Sequence, residues 1–255
     1  MPSQSNTAAE ANAAYYDSLP PGLEDYWNHM AAPRFRTETL CSLVLDNPPT
    51  RLVELGCGNG RFLMELGERG YQGYRLGIDL SERRVESNRS LLPSIEWLSA
   101  NLDSRVTFPP GHCGTFNVVV ASELIEHLAD PGMLLTNAAS LAVPGRGFLF
   151  LSTQSGPIGA TERFVGHQQH FSAEDLDALF RATGWDTVRI WNAGFPFHDL
   201  SKWIANLKPG TMVERFNNRP YGIPEKVVCW SLRGLFKLNS QTRGAQLFAI
   251  ARARG

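Results

Sequence analysis

Three glycines at alternate positions, Gly56, Gly58 and Gly60, follow the short apolar run Arg51-Leu-Val-Glu-Leu55 and precede a helix-like stretch over residues 61–69. A strand that turns into a helix through glycines constrains a chain strongly, because the backbone reverses within a few residues and can approach a ligand closely above the turn. Such a unit buries its apolar face only beside further units of the same kind. The sequence supplies them. Residues 74–78 (closed by Asp79), 95–98, 116–121, 147–152, 185–191 and 245–251 read as strands. Between them, Ser81-Glu82 caps a helix running to about Leu92, ahead of Pro93. Asp130-Pro131 opens another as N-cap and first helical position, stopping near Pro144-Gly145. Ser172-Ala-Glu-Asp175 is a capping-box-like start to a third, which ends at Gly184. The alternation predicts a doubly wound α/β fold, a parallel sheet with helices on both faces.

Two segments fall outside it. Residues 15–45 read as one or two helices ahead of the first strand. Residues 192–243, rich in Trp, Phe and Pro with helix-like pieces near 199–207 and 224–238, are too long for a plain connection. They are expected to form a helical lid over the active-site edge, since they are too short for a core of their own. Residues 1–14 lack the basic and apolar regions of a signal peptide and read as a disordered tail, leaving 15–255 as a single domain. With 43% hydrophobic residues the chain can build such a core. Its formal net charge of −1 offers no single-signed field for nucleic acid or a membrane, so neither is an expected partner. No apolar run approaches the ~20 residues of a membrane-spanning helix. Cys41, Cys57, Cys113 and Cys229 show neither disulfide nor zinc spacing, so reduced thiols and a cytoplasmic location are expected.

The glycine turn and Asp79 belong together. An acid that ends the second strand, about 20 residues beyond the turn, can accept hydrogen bonds from both ribose hydroxyls of a nucleotide. A dinucleotide-binding oxidoreductase shares this logic, but its usual loop is Gly-x-Gly-x-x-Gly, and here Arg61 stands where the third glycine belongs. Glu54 also brings a carboxylate to the loop, which suits the ammonium of a methionine moiety better than a pyrophosphate.

Glu54-Leu-Gly-Cys-Gly-Asn-Gly60, Gly77-Ile-Asp-Leu-Ser81, Phe116-Asn-Val-Val-Val-Ala121 and Glu126-His-Leu-Ala-Asp-Pro131, in this order over about residues 50–191, resemble the successive motifs of class I S-adenosylmethionine-dependent methyltransferases. The resemblance implies a Rossmann-like, seven-stranded, mostly parallel sheet whose seventh strand, here Gln246-Leu-Phe-Ala-Ile250, is antiparallel. It implies a cofactor set of Glu54, Gly56, Cys57 and Gly58 at the methionine end, Asp79 on the ribose and Leu80 flanking the adenine. Cys57 itself reads as a small residue required for steric reasons. Asn101 and Leu102 belong beside the adenine amino group, with Asp103 close enough to replace Asn101 there, and Ser122 completes the set after the fourth strand.

Methyl transfer from a sulfonium is an in-line displacement that needs acceptor, methyl and sulfur aligned, and a hydroxyl acceptor must also lose a proton. Ser122-Glu-Leu-Ile-Glu-His-Leu128 follows the fourth strand, where such chemistry belongs. Glu123, Glu126 and His127 have i, i+3, i+4 spacing and share one face if the turn is helical. With His167 from Gly166-His-Gln-Gln-His-Phe171 they would form a site for magnesium, manganese or zinc. This pattern resembles two metal-using branches of the family. In the ubiquinone-pathway O-methyltransferases a His four residues before a Phe selects His167; the small-RNA 2′-O-methyltransferases have two histidines spaced as His167 and His170. The alternative is local packing of the Glu-His pair with no metal, in which case His127, His167 or His170 is the natural general base, and His198 a weaker one.

His29 and His112 read as surface residues, and Arg34 and Arg36 as solvated unless they meet an anionic acceptor or the cofactor carboxylate. The aromatic residues Tyr15, Tyr16, Tyr26, Trp27, Phe195, Phe197 and Trp203 read mostly as packing, with a pocket-shaping lid as the functional alternative. The expected activity is methylation of a small-molecule acceptor by S-adenosylmethionine, O-methylation ahead of N- or C-methylation. Metal-assisted RNA 2′-O-methylation and a non-catalytic cofactor-binding regulator are the alternatives. The oligomeric state is left open.

Overall fold

The structure, a computed structural model, describes residues 24–217 and 220–255. The expected tail at 1–14 and the aromatic residues Tyr15 and Tyr16 lie outside the described residues. Strands β1 (Arg51–Leu55), β2 (Tyr74–Asp79), β3 (Glu96–Ser99), β4 (Val118–Ser122), β5 (Phe148–Gln154), β6 (Trp185–Ala193) and β7 (Gln246–Ala253) form one seven-stranded sheet in the order β3-β2-β1-β4-β5-β7-β6. The pairs among β1 to β5 are parallel, and β7 inserts antiparallel between β5 and β6. This is the doubly wound, mostly parallel α/β sheet expected from the sequence.

Period-2 alternation divides the strands between two apolar layers. Val53, Leu55, Val119, Ala121, Leu149 and Leu151 point into one layer. There they meet α5 (Pro131–Leu141) and α7 (Ala173–Ala182). Leu52, Val118, Val120 and Phe150 point into the other, against α2 (Ala31–Asp46) and α3 (Arg61–Glu68). Helix starts follow their caps. Ser81 accepts from Arg84 N at 3.2 Å to open α4 (Glu82–Leu91), Asp130 accepts from Met133 N at 3.0 Å to open α5, and Ser172 and Asp175 form the capping box of α7.

Some details differ from the sequence reading. Phe116 lies outside β4, fully buried, and makes an isolated bridge to Ala142. Two short helices, α6 (Ala160–Phe164) and α9 (Pro209–Asn217), arise where the patterning assigned none; α6 starts without a side-chain cap. His112 is buried rather than on the surface: its ring packs on Phe116, and Nε2 lies 3.1 Å from a Glu96 oxygen. Arg34 and Arg36 are not solvated either. Arg34 forks onto Glu65 from α2, and Arg36 approaches Glu123 at 3.7 Å.

The segment after β6 folds into α8 (Phe197–Leu207), α9 and α10 (Ile223–Phe236). Of these, α10 packs on the N-terminal pair, α1 (Glu24–His29) and α2, while α8 and α9 pack on α6. Asp25 accepts from Tyr221 N at 2.9 Å, and Arg233 reaches Glu38 at 3.1 Å.

Gly60 shows why the turn needs its last glycine. It sits at φ 71°, and a Cβ there would come within 2.4 Å of the Trp97 ring. Gly60→Ala is expected to cost about 1–2 kcal/mol for the left-handed backbone alone, with a further penalty from displacing Trp97. An unchanged urea midpoint would refute this account of the turn.

Candidate active site

Registers align the carboxyl ends of the central strands. Leu55 pairs with Ile78 and Ala121, and Ser122 with Ser152, so the segments leaving β1, β2, β4 and β5 emerge along one sheet edge. A cavity of about 740 Å³ lies there, between that edge and a roof supplied by α1, α2, α8, α9 and α10. Its size is that of a small-molecule site.

One end of the cavity carries the nucleotide-type features. Gly56, Gly58, Asp79, Leu80, Asn101, Leu102 and Ser122 line it. Asp79 holds the turn: one oxygen accepts from Gly58 N at 2.8 Å and the other from Ser81 N at 3.0 Å. Asn101 Oδ1 accepts from Asp103 N at 3.0 Å. Asp103 is absent from the lining, because its carboxylate receives the backbone N–H groups of Ala129 and Asp130 at 3.1 and 2.7 Å. Glu54 and Cys57 do not line the cavity either. Cys57 packs in the apolar layer beneath the turn. Glu54 is buried, and burial together with the Asp79 charge pushes its carboxyl well above the ordinary range.

The other end carries a cluster of titratable side chains, Glu123, His127 and His167 among them. Glu123, directly after β4, has φ 50°, a backbone region that L-residues rarely enter, and the next residues form a 3-10 turn (Ile125–His127) rather than an α-helix. The shared helical face expected for Glu123, Glu126 and His127 is therefore not formed. The carboxylates part company. Glu123 accepts from Gln246 at 2.9 Å, Gln154 at 3.1 Å and Ser152 at 3.3 Å, with Arg36 alongside. Burial opposes its ionisation, but the Arg36 charge and the two amides outweigh that and hold it well below the usual carboxylate range. Glu126 is fully buried, and burial, then the Glu123 charge, push its carboxyl well above that range. Thr153 donates to one Glu126 oxygen at 2.9 Å; the other has no hydrogen-bond partner among the described residues. The two carboxyls are thus pushed in opposite directions, a divergence characteristic of functional sites.

Glu126, His127 and His167 each offer a ligand atom within 4.8 Å of the other two. Glu123 stands outside this group, taken up by Arg36 and the amides. The histidines form a chain: the rings of His127 and His167 lie 4.7 Å apart, His167 Nδ1 is 2.9 Å from His170 Nε2, and His170 Nδ1 is 2.9 Å from Gly156 O. A backbone carbonyl only accepts, so His170 carries its proton on Nδ1 and, when neutral, accepts at Nε2. His167 then donates from Nδ1, which makes its Nε2 the acceptor nitrogen. Burial lowers the His127 pKa to about 4 and that of His167 to about 3, so both rings are neutral near pH 7.

His198 is buried in the roof, packed against Phe35 and Phe236, and lines the cavity with its Nδ1 3.2 Å from Asp199. Tyr26 and Trp27 line it, whereas Phe195, Phe197 and Trp203 do not. Sequence reasoning missed Gln154, Lys202 and Glu162 as wall residues, and Arg36, expected to be solvated unless it met an anionic acceptor or the cofactor carboxylate, also lines the cavity. Lys202 Nζ lies 2.6 Å from Gln154 Oε1 and 3.1 Å from Glu162. It also missed Gln246, which holds Glu123 from β7. The one available signal was polarity where apolar residues are expected: Gln246 is fully buried beside Leu247 and Phe248.

Residues 26–190, more than half of the chain, match the family model described as a methyltransferase domain. The chain is 33% identical over 104 residues to a ubiquinone biosynthesis O-methyltransferase of Thiobacillus denitrificans, covering 40% of this chain and 44% of the relative. It is 30% identical over 112 residues to a trans-aconitate 2-methyltransferase of an Azoarcus species, covering 44% of this chain and 42% of the relative. The alignments thus span less than half of these relatives' own length. Among solved structures, a TehB-like S-adenosylmethionine-dependent methyltransferase from Corynebacterium glutamicum superposes with a TM-score of 0.55 at 13% identity, covering 96% of this chain and 100% of the other.

Proposed function

From the premise that this chain belongs to the class I S-adenosylmethionine-dependent methyltransferases, we propose that it moves the sulfonium methyl to a hydroxyl of a small, largely apolar acceptor. The observation that carries this reading is one continuous cavity. It runs from Gly58, Asp79 and Asn101 to His127 and His167, and continues beneath apolar roof residues such as Met212, Leu232 and Phe236.

In this reading the glycine turn and Asp79 seat the cofactor, with Leu80 and Leu102 against its base. The roof excludes water, and an acceptor hydroxyl lies toward His167. The neutral imidazole removes the hydroxyl proton at Nε2 as the oxygen attacks the methyl carbon and the carbon–sulfur bond breaks, leaving a neutral thioether. His170 acts by fixing the His167 tautomer, and Glu123 keeps a negative charge where imidazolium forms.

The donor set also fits a divalent cation. Glu126, His127 and His167 would hold it, and the unpartnered Glu126 oxygen is the observation that favours this second reading. A bound cation would lower the pKa of the acceptor hydroxyl. Radiolabelled methyl transfer to metabolite and RNA pools, with and without chelator, tests both readings. Label should enter a small molecule. Persistence under chelator would remove the cation reading, and label confined to RNA would overturn the acceptor class.

A further inference from the structure

A roof over an apolar cavity normally turns polar residues to water. Here the outer side is apolar as well. Along α10, Ile223, Val227 and Trp230 recur at helical spacing and are 81%, 55% and 76% exposed, with Leu238 just beyond the helix at 69%. On α8, Leu200, Trp203 and Leu207 make a second exposed stripe, with Trp203 at 60%. Both helices line the cavity from their inner sides, through Ile204 and Ala205 on α8 and Leu232 and Phe236 on α10. Exposed apolar stripes of this extent mark a contact surface.

Charge identifies the contact. Over the whole chain 24 Lys and Arg face 25 Asp and Glu, but residues 192–243 carry eight of the former against three of the latter. The near-neutral total conceals a cationic roof on an acidic body. In α10, Lys226 and Arg233, with Lys237 following the last turn, recur at i, i+7 and i+11 and so line one flank of the apolar stripe. Lys226 and Arg233 pair with Asp25 and Glu38 of the N-terminal helices, yet their side chains remain 47% and 41% exposed. The acid of this helix, Glu225, is taken up by Arg215 at 2.7 Å. Trp and aliphatic side chains on one face, bordered by cations, is the pattern of a helix lying in the interface of an anionic bilayer. A second copy is the poorer occupant, since it carries the same excess of cations on this face and brings no complementary charge to it.

We propose that the outer face of α8 and α10 docks on an anionic lipid surface and holds the roof of the cavity at the bilayer, where an apolar acceptor is dissolved. No described helix is long and apolar enough to cross a membrane, so this is attachment in the interface. Net charge alone argues against a membrane partner; its segregation reverses that argument.

Co-sedimentation of the full chain with vesicles tests the proposal without reference to methyl transfer. Phosphatidylcholine vesicles containing phosphatidylglycerol should retain the protein, pure phosphatidylcholine should retain it far less, and added salt should release it. Trp230→Glu should abolish binding. Replacing Lys226 and Lys237 together by Gln should weaken it by about 30-fold, with the melting temperature confirming that each variant folds. Failure of the wild-type chain to bind anionic vesicles, or equal binding by Trp230→Glu, would overturn the proposal. Self-association of the wild type that Trp230→Glu abolishes, seen by equilibrium sedimentation without lipid, would assign the face to a second copy and overturn it equally.

Discussion

Asp79→Ala should weaken S-adenosylmethionine binding by at least about 100-fold, because two hydrogen bonds to a charged acceptor, at about 1.5–3 kcal/mol each, would be lost. The effect combines two roles. In the proposed complex the carboxylate receives both ribose hydroxyls. In the protein without ligand it already receives Gly58 N–H and Ser81 N–H, and so ties the glycine turn to the start of α4. Asp79→Asn keeps one acceptor oxygen and should lie between, about tenfold weaker than wild type. Calorimetric titration with S-adenosylmethionine measures this directly, and far-ultraviolet circular dichroism shows that the variants are folded. Affinity within about threefold of wild type would remove Asp79 from the cofactor site and the nucleotide reading with it.

The second large effect is kinetic. His167→Ala should reduce kcat by about 10²- to 10³-fold, the usual contribution of a positioned general base. S-adenosylmethionine affinity should stay within about twofold, because His167 belongs to the opposite end of the cavity. The pH profile separates this role from a structural one. Burial lowers the pKa of both His127 and His167, to about 4 and about 3, so the base remains unprotonated well below the ordinary histidine range. Wild-type kcat should therefore stay flat as pH falls from 8 to about 5 and decline only beneath that. A decline centred near 6.5, the ordinary histidine value, would point to a solvated imidazole elsewhere. The same shift has a stability consequence. An imidazole whose folded pKa is depressed contributes stability above its unfolded value, and that contribution is lost as pH falls below about 6.5 toward the folded pKa. The raised Glu126 pKa acts oppositely, favouring the fold below about 4.5 and losing that contribution as pH rises.

Much of one end of the cavity was legible in the sequence. Of the residues named for the cofactor, Glu54 and Cys57 do not line the cavity, and Gly56, Gly58, Asp79, Leu80, Asn101, Leu102 and Ser122 do. Each lies at or just beyond the carboxyl end of a strand, where the fold itself dictates position. Asp103 was offered as a substitute for Asn101, and the structure turns it aside because two backbone N–H groups beyond the 3-10 turn claim it. The other end was legible by residue type but not by geometry. Helical spacing put Glu123, Glu126 and His127 on one face; the left-handed backbone at Glu123 sets that residue apart, while Glu126 and His127 converge with His167.

What the sequence determined by itself is everything that rests on neighbours a few residues apart: the glycine turn, the caps at Ser81, Asp130 and Ser172, the period-2 strands and hence the doubly wound sheet. The protonation states of the two carboxyls and the tautomer of His167 were decided only by tertiary structure. They depend on partners distant in the chain, such as Gln246, which is 123 residues from Glu123, and Gly156 on His170. The orientation of the helices after β6 was decided there too. Helices α8 and α10 are apolar on more than one side, so no periodicity says which stripe meets the cavity and which meets solvent. That choice is made by the surfaces against which the helices pack.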